Sequence, residues 1–143
     1  MRKITVLLFA LALFVAFPKA AHAEATKNPL GDMPLVYSII LGNSLPTTIK
    51  AEVTYCRLTE DRSCRTITEE IESFEKFFFR PREYMNGEEE QFQPIFHIKA
   101  TEIETGETAV AYMPFPGITK SSKDVEVAVV PDESAPEKIK IEF

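Results

Sequence analysis

The octapeptide IKAEVTYC, Ile49 to Cys56, alternates apolar and polar residues: Ile49, Ala51, Val53 and Tyr55 against Lys50, Glu52, Thr54 and Cys56. In an extended chain successive side chains point to opposite faces, so this pattern predicts a strand with one face on a core and one in water. The chain's second cysteine closes CRLTEDRSC at Cys64, and Thr66 and Thr68 share its parity while Ile67 takes the other face. Two strands joined by so short a connection form a hairpin, with both sulfurs expected on its solvent side. Cys56 and Cys64 are the only cysteines. A redox pair normally uses the closer Cys-x-x-Cys spacing, and a zinc centre needs about four ligands. Beyond residue 23 the chain offers two Cys and the single histidine His97. A disulfide between Cys56 and Cys64 is therefore predicted, which in turn calls for an oxidising compartment.

The first 23 residues, MRKITVLLFALALFVAFPKAAHA, agree with that compartment. Arg2 and Lys3 precede an apolar run from Ile4 to Phe17, and Ala21-His22-Ala23 has the small-x-small pattern of a signal-peptidase site. The run is shorter than the ~20 residues that span a bilayer, and the segment resembles a bacterial Sec signal. Residues 1–23 are read as a signal peptide and 24–143 as a single exported domain, periplasmic or secreted, with no stable membrane insertion after cleavage. Removing Arg2, Lys3 and Lys19 leaves 16 − 3 = 13 basic against 22 acidic residues, a formal charge of −9. That sign disfavours nucleic acid and anionic lipid and suits a basic protein partner.

Further along, LVYSIIL (35–41) reads as a buried strand, turned by Gly42-Asn43-Ser44 and Pro46 into the strand ending at Cys56. TITEEIESFEKFFF is two-valued. Ile67, Ile71, Phe74, Phe77 and Phe78 recur at helical spacing, yet RTITE and EKFFFR also read as strands about a turn near Ser73. The clip at Cys64 favours strands; a helix at about 67–79 in an α+β domain is the alternative. Asn86-Gly87 is a type I′ turn signal. A hairpin centred there would set Glu83 opposite Glu90, so 81–94 is read as a long loop, and Glu88-Glu89-Glu90 as a solvated acidic face without a calcium-loop motif. IFHIKATEI and TAVAYM form a hairpin about Gly106. DVEVAVV and KIKIEF are the last strands, with Pro131 to Pro136 between them as a linker-like turn.

About seven short strands predict an all-β fold, an antiparallel two-sheet sandwich of the immunoglobulin-like kind. Leu45-Pro46-Thr47-Thr48 and Arg80-Pro81 resemble two loop motifs of the chagasin-like inhibitors of cysteine peptidases. Ile49-Lys50 stands where that family has Gly-Tyr, however, and no Trp follows Arg80-Pro81, so the chain is not assigned to it.

No spacing singles out catalytic residues, metal ligands or a cofactor motif. A lone His97 on a strand lacks the partners that acid–base work needs. The reading is a non-enzymatic exported protein-binding or envelope-assembly module. It would act through sheet edges, KIKIEF among them, and through apolar anchors at Phe78, Tyr84, Met113 and Phe115. A protease-inhibitor-like or small hydrolytic domain is the alternative.

Overall fold

The alternation in 49–56 becomes a strand whose inner side chains, Ile49, Ala51, Val53 and Tyr55, are almost wholly buried. The computed structural model describes residues 31–143, and the segment read as a signal peptide lies outside the described residues. Met33–Phe143 forms one unit built from ten strands, more than the seven legible in the sequence. They are β1 (Ile39–Asn43), β2 (Ile49–Cys56), β3 (Cys64–Ile71), β4 (Lys76–Phe79), β5 (Arg82–Asn86), β6 (Glu89–Gln93), β7 (Ile95–Glu102), β8 (Thr108–Tyr112), β9 (Val125–Asp132) and β10 (Ala135–Glu142).

Two four-stranded sheets, β10-β9-β1-β4 and β3-β2-β7-β8, pack face to face as a β-sandwich, and β5 and β6 pair with each other alone. Pairing is antiparallel throughout except between β1 and β9. Between the sheets, Val53, Ile98 and Ala100 of one face Ile39, Leu41, Phe79 and Val129 of the other, all at most 1% exposed. Full burial of each large apolar side chain stabilises by roughly 1.5–3 kcal/mol before the entropy of ordering is counted.

The disulfide is present between Cys56 and Cys64, directly paired residues of β2 and β3 whose Cα atoms lie 4.0 Å apart. Only Cys64 is exposed; Cys56 is buried, contrary to the expectation that both sulfurs face water. The polar face of β2 is covered at this end, where the Thr54 hydroxyl is bonded to that of Thr66 at 2.8 Å and Cys64 takes the outer position.

Residues 67–79 are not a helix. They comprise the end of β3, a tight connection and β4. Ile67 and Ile71 are four apart, a spacing that suits a strand face as well as a helix turn, and the full β2–β3 ladder from Cys56↔Cys64 to Ile49↔Ile71 decides for the strand. Phe74 then reverses the chain with a left-handed φ of 61°.

Two further expectations are corrected. The strand at 35–41 begins only at Ile39 and pairs with β4 and β9, not with β2. Ahead of it, Val36 makes only an isolated bridge to Ser122, and the buried Ser38 hydroxyl donates to the Asp124 carboxylate (2.8 Å) and accepts from the Asp124 N–H (2.7 Å). Residues 81–94 are a hairpin and not a loop. Its turn is centred one residue later than Asn86-Gly87, with Gly87 (φ 67°) at the first central position as a type II′ turn requires. Glu83 thereby faces Phe92, and Glu90 faces Met85, which removes the direct carboxylate pair. The two remain diagonal neighbours, and Glu90 holds the Glu83 carboxyl above its ordinary value.

Candidate functional site: the outer face of the β4-β1-β9-β10 sheet

In β4 the sequence Lys76-Phe77-Phe78-Phe79 puts aromatic rings on both faces of one short edge strand. Phe79 is buried in the core and Phe77 packs against it edge-on, ring centroids 4.9 Å apart. Phe78 points the other way and is 41% exposed. Register places Phe78 beside Ile40 of β1, and Ile40 beside Glu126 of β9. The next row out runs Lys76, Gly42, Ala128 and Glu142.

Gly42 and Ala128 carry almost no side chain, so this row is a trough between Lys76 on one side and Glu142 on the other. The trough and its margins form an open depression of about 390 Å³ that Ile40, Ser44, Glu126 and Phe143 complete. A Cβ on Gly42 would meet the Lys76 stem at 3.6 Å, an ordinary contact, so the lysine chain lies flat across the glycine. Lys140 is bound to Glu142 at 2.8 Å, and that carboxylate holds the lysine's pKa above its ordinary value. The lining therefore combines an apolar floor, the cation of Lys76, the Glu142 carboxylate already paired with Lys140, and the carboxylate of Glu126. Such a surface can take up apolar side chains and a positive charge.

Of the anchors expected from sequence, Phe78 alone stands clear of the protein surface. Phe115 is 4% exposed and stacks on Phe143 at 5.0 Å, so Met113-Pro114-Phe115 is a plug on the core's end and not a protruding tip. Met113 is half-buried against the same core. Tyr84 is 6% exposed; its hydroxyl donates to Gln91 at 2.8 Å and the Arg57 guanidinium lies over its ring. These three are structural residues of the sandwich and its hairpin.

Exposed apolar residues that sequence reasoning missed are Phe74 (72%), Tyr112 (68%) and Met85 (62%). Tyr112 was legible by parity, since Thr108, Val110 and Tyr112 alternate with the small, core-facing Ala109 and Ala111. It stacks on His97 across the β7–β8 pair, centroids 5.5 Å apart, so this histidine lies on an outer face beside an aromatic ring. Phe74 carried no such signal, because a left-handed residue in a connection belongs to no periodic pattern.

The core beneath is tied by two polar residues. The buried Tyr55 hydroxyl donates to the Arg80 carbonyl at 2.9 Å, and burial pushes its pKa up to about 12 despite the opposing Arg82 guanidinium. Asn43, 2% exposed, shares its two Nδ2 N–H groups among the carbonyls of Thr47, Ile71 and Glu72, and its Oδ1 accepts the N–H of Leu45. That side chain fixes the crossings from β1 to β2 and from β3 to β4, and so the corner that carries Phe74.

Among the described residues no group of three or more His, Cys, Asp and Glu side chains converges as a metal centre would need. Comparison with protein-family models, with curated proteins and with solved structures gives no match to this chain.

Proposed function

We propose that the protein is exported and works without catalysis of its own, by binding another protein on the outer face of the β4-β1-β9-β10 sheet. The observation that carries this reading is the pairing of Phe78 with Ile40 on an open sheet face, beside a trough floored by Gly42 and Ala128. An exposed aromatic next to a shallow apolar recess is the usual form of an interface anchor. Glu126 at its margin, and the formal charge of −9 on residues 24–143, favour a partner segment with apolar and basic residues. Export is supported by the Cys56–Cys64 disulfide together with the signal-like character of residues 1–23.

The test is a crosslinking pulldown of the tagged protein from its native envelope fraction, run beside Phe78→Asp. The expected result is one specific partner captured by the wild type and lost in the variant, with the variant's circular dichroism unchanged. Capture of the same proteins by both would reject this face as the binding surface.

A further inference from the structure

Strand β3 is the longest uninterrupted free edge of the sandwich. Its ladder to β2 runs through eight consecutive pairs without a bulge, whereas the register shifts in the β2–β7 and β9–β10 pairs. No described residue pairs with its other side, and the strand contains no proline. The other edges are more protected. β4 has four residues, β10 is irregular and contains Pro136, and β8 and β10 lie against each other across the sandwich. Natural sheets usually blunt a long flat edge, because its unpaired N–H and C=O groups template another strand.

The outward groups of β3 can be assigned. The Arg57 N–H donates to the Ser63 carbonyl at 2.9 Å, so Arg57 and Ser63 are a hydrogen-bonded pair. Antiparallel pairs alternate, which makes Cys56 and Cys64 a non-hydrogen-bonded pair, consistent with their 4.0 Å Cα separation. Arg65, Ile67, Glu69 and Ile71 then direct their backbone groups to β2, and Cys64, Thr66, Thr68 and Glu70 direct theirs away from it.

The side chains along this edge are self-complementary. Arg65-Thr66-Ile67-Thr68-Glu69 reads, in polarity and charge, as its own reverse complement about Ile67. Laid antiparallel on a second β3 with Ile67 opposite Ile67, Arg65 of each strand faces Glu69 of the other, and Thr66 faces Thr68. In this register Thr66 and Thr68, and likewise Cys64 and Glu70, meet as hydrogen-bonded pairs through their outward groups. Arg65 and Glu69 meet as close, non-hydrogen-bonded pairs, where side chains interact best. Just beyond the strand, the exposed Arg62 and Glu72 fall on the same symmetric offsets. A slip of two residues would set Arg65 against Ile67 or Ile71 and lose the complementarity.

We infer that the partner of the β3 edge is a second copy of this chain, joined antiparallel about Ile67 so that two β3-β2-β7-β8 sheets become one continuous sheet. A two-fold arrangement of this kind closes on itself and leaves no further edge of the same type open. It also covers Ile67, which the sandwich alone leaves half-buried. The inference is independent of the Phe78 face, which belongs to the other sheet.

The test is sedimentation velocity on the disulfide-intact protein over a concentration series, with circular dichroism as a check on the fold. The wild type is expected to dimerise. Arg65→Glu and Glu69→Arg, each of which sets like charges against one another in its own dimer, should each weaken self-association at least tenfold. An equimolar mixture of the two variants should regain it, because every Arg65–Glu69 contact is then between opposite charges. Thr68→Pro removes an N–H that β2 does not use and should also block the dimer. A wild type still monomeric at about 200 μM, above the range of most specific pairing, would overturn the inference. So would a dimer indifferent to both charge reversals and to Thr68→Pro.

Discussion

The Nδ2 of Asn43 donates to the Ile71 carbonyl at 3.0 Å, joining the end of β1 in one sheet to the end of β3 in the other. The same amide group reaches Thr47 and Glu72, so one buried side chain ties together two sheet crossings. Asn43→Ala removes these bonds and leaves the buried Leu45 N–H without its acceptor, and is expected to destabilise by about 1–3 kcal/mol. Urea unfolding checks this: the midpoint should fall with the slope unchanged. A loss below about 0.5 kcal/mol, the usual effect of a surface change, would mean that water satisfies the site.

Tyr55 makes the sandwich sensitive to alkali. Its hydroxyl is protonated up to a pH of about 12 in the folded protein, against an ordinary value of 10.0. The unfolded chain therefore loses this proton first. The associated stability is whole below pH 10 and drains away as pH rises through 12. With solvent screening included, the loss should be about 1–2 kcal/mol. Tyr55→Phe removes the hydroxyl that serves Arg80 and should cost about 1 kcal/mol at neutral pH while flattening the alkaline limb. Denaturant titrations of both proteins between pH 8 and pH 12 give the comparison.

Phe78 and Phe115 should respond oppositely to truncation. Phe115→Ala opens a cavity beside Phe143 and should cost about 3–4 kcal/mol. Phe78→Ala, on an exposed edge, should stay within about 1 kcal/mol of wild type. Thermal unfolding of the two variants side by side reads this directly, and equal losses would contradict the face assignments.

The cysteine clip and the export reading can be checked in one sample. Intact mass of protein recovered outside the cytoplasm should correspond to a chain beginning at Glu24, with no alkylatable thiol before reduction and two after it. Replacing both cysteines by alanine should destabilise by about 2.5 kcal/mol, the chain entropy of a nine-residue loop. Retention of residues 1–23 in that material would contradict the signal reading.

Where side-chain parity was strong, structure was legible in the sequence. The alternation in IKAEVTYC and the shared parity of Cys64, Thr66 and Thr68 placed β2, β3 and their disulfide, and IFHIKATEI with TAVAYM placed β7 and β8. Parity failed where one residue decides register. Shifting the turn from Asn86-Gly87 to Gly87-Glu88 exchanged Glu90 for Phe92 opposite Glu83, and a hairpin stood where a loop was read. It failed again in the connections. Neither the stacking of Phe115 on Phe143 nor the hydrogen bonds from Asn43 to Ile71 and Glu72 follows from local pattern, because they join residues 28 or 29 positions apart. Of the expected anchors only Phe78 is exposed, since three consecutive phenylalanines on a strand must expose at least one face unless a third layer covers it.

Site-specific photocrosslinking tests the proposed binding face most directly. A photoreactive residue at Phe78, on the outer face of the β4-β1-β9-β10 sheet, should trap one partner protein in intact envelopes, and the same probe at Lys50, on the outer face of the other sheet, should not. Equal trapping of the same proteins at both positions, or none at Phe78, would contradict a protein-binding role for this face.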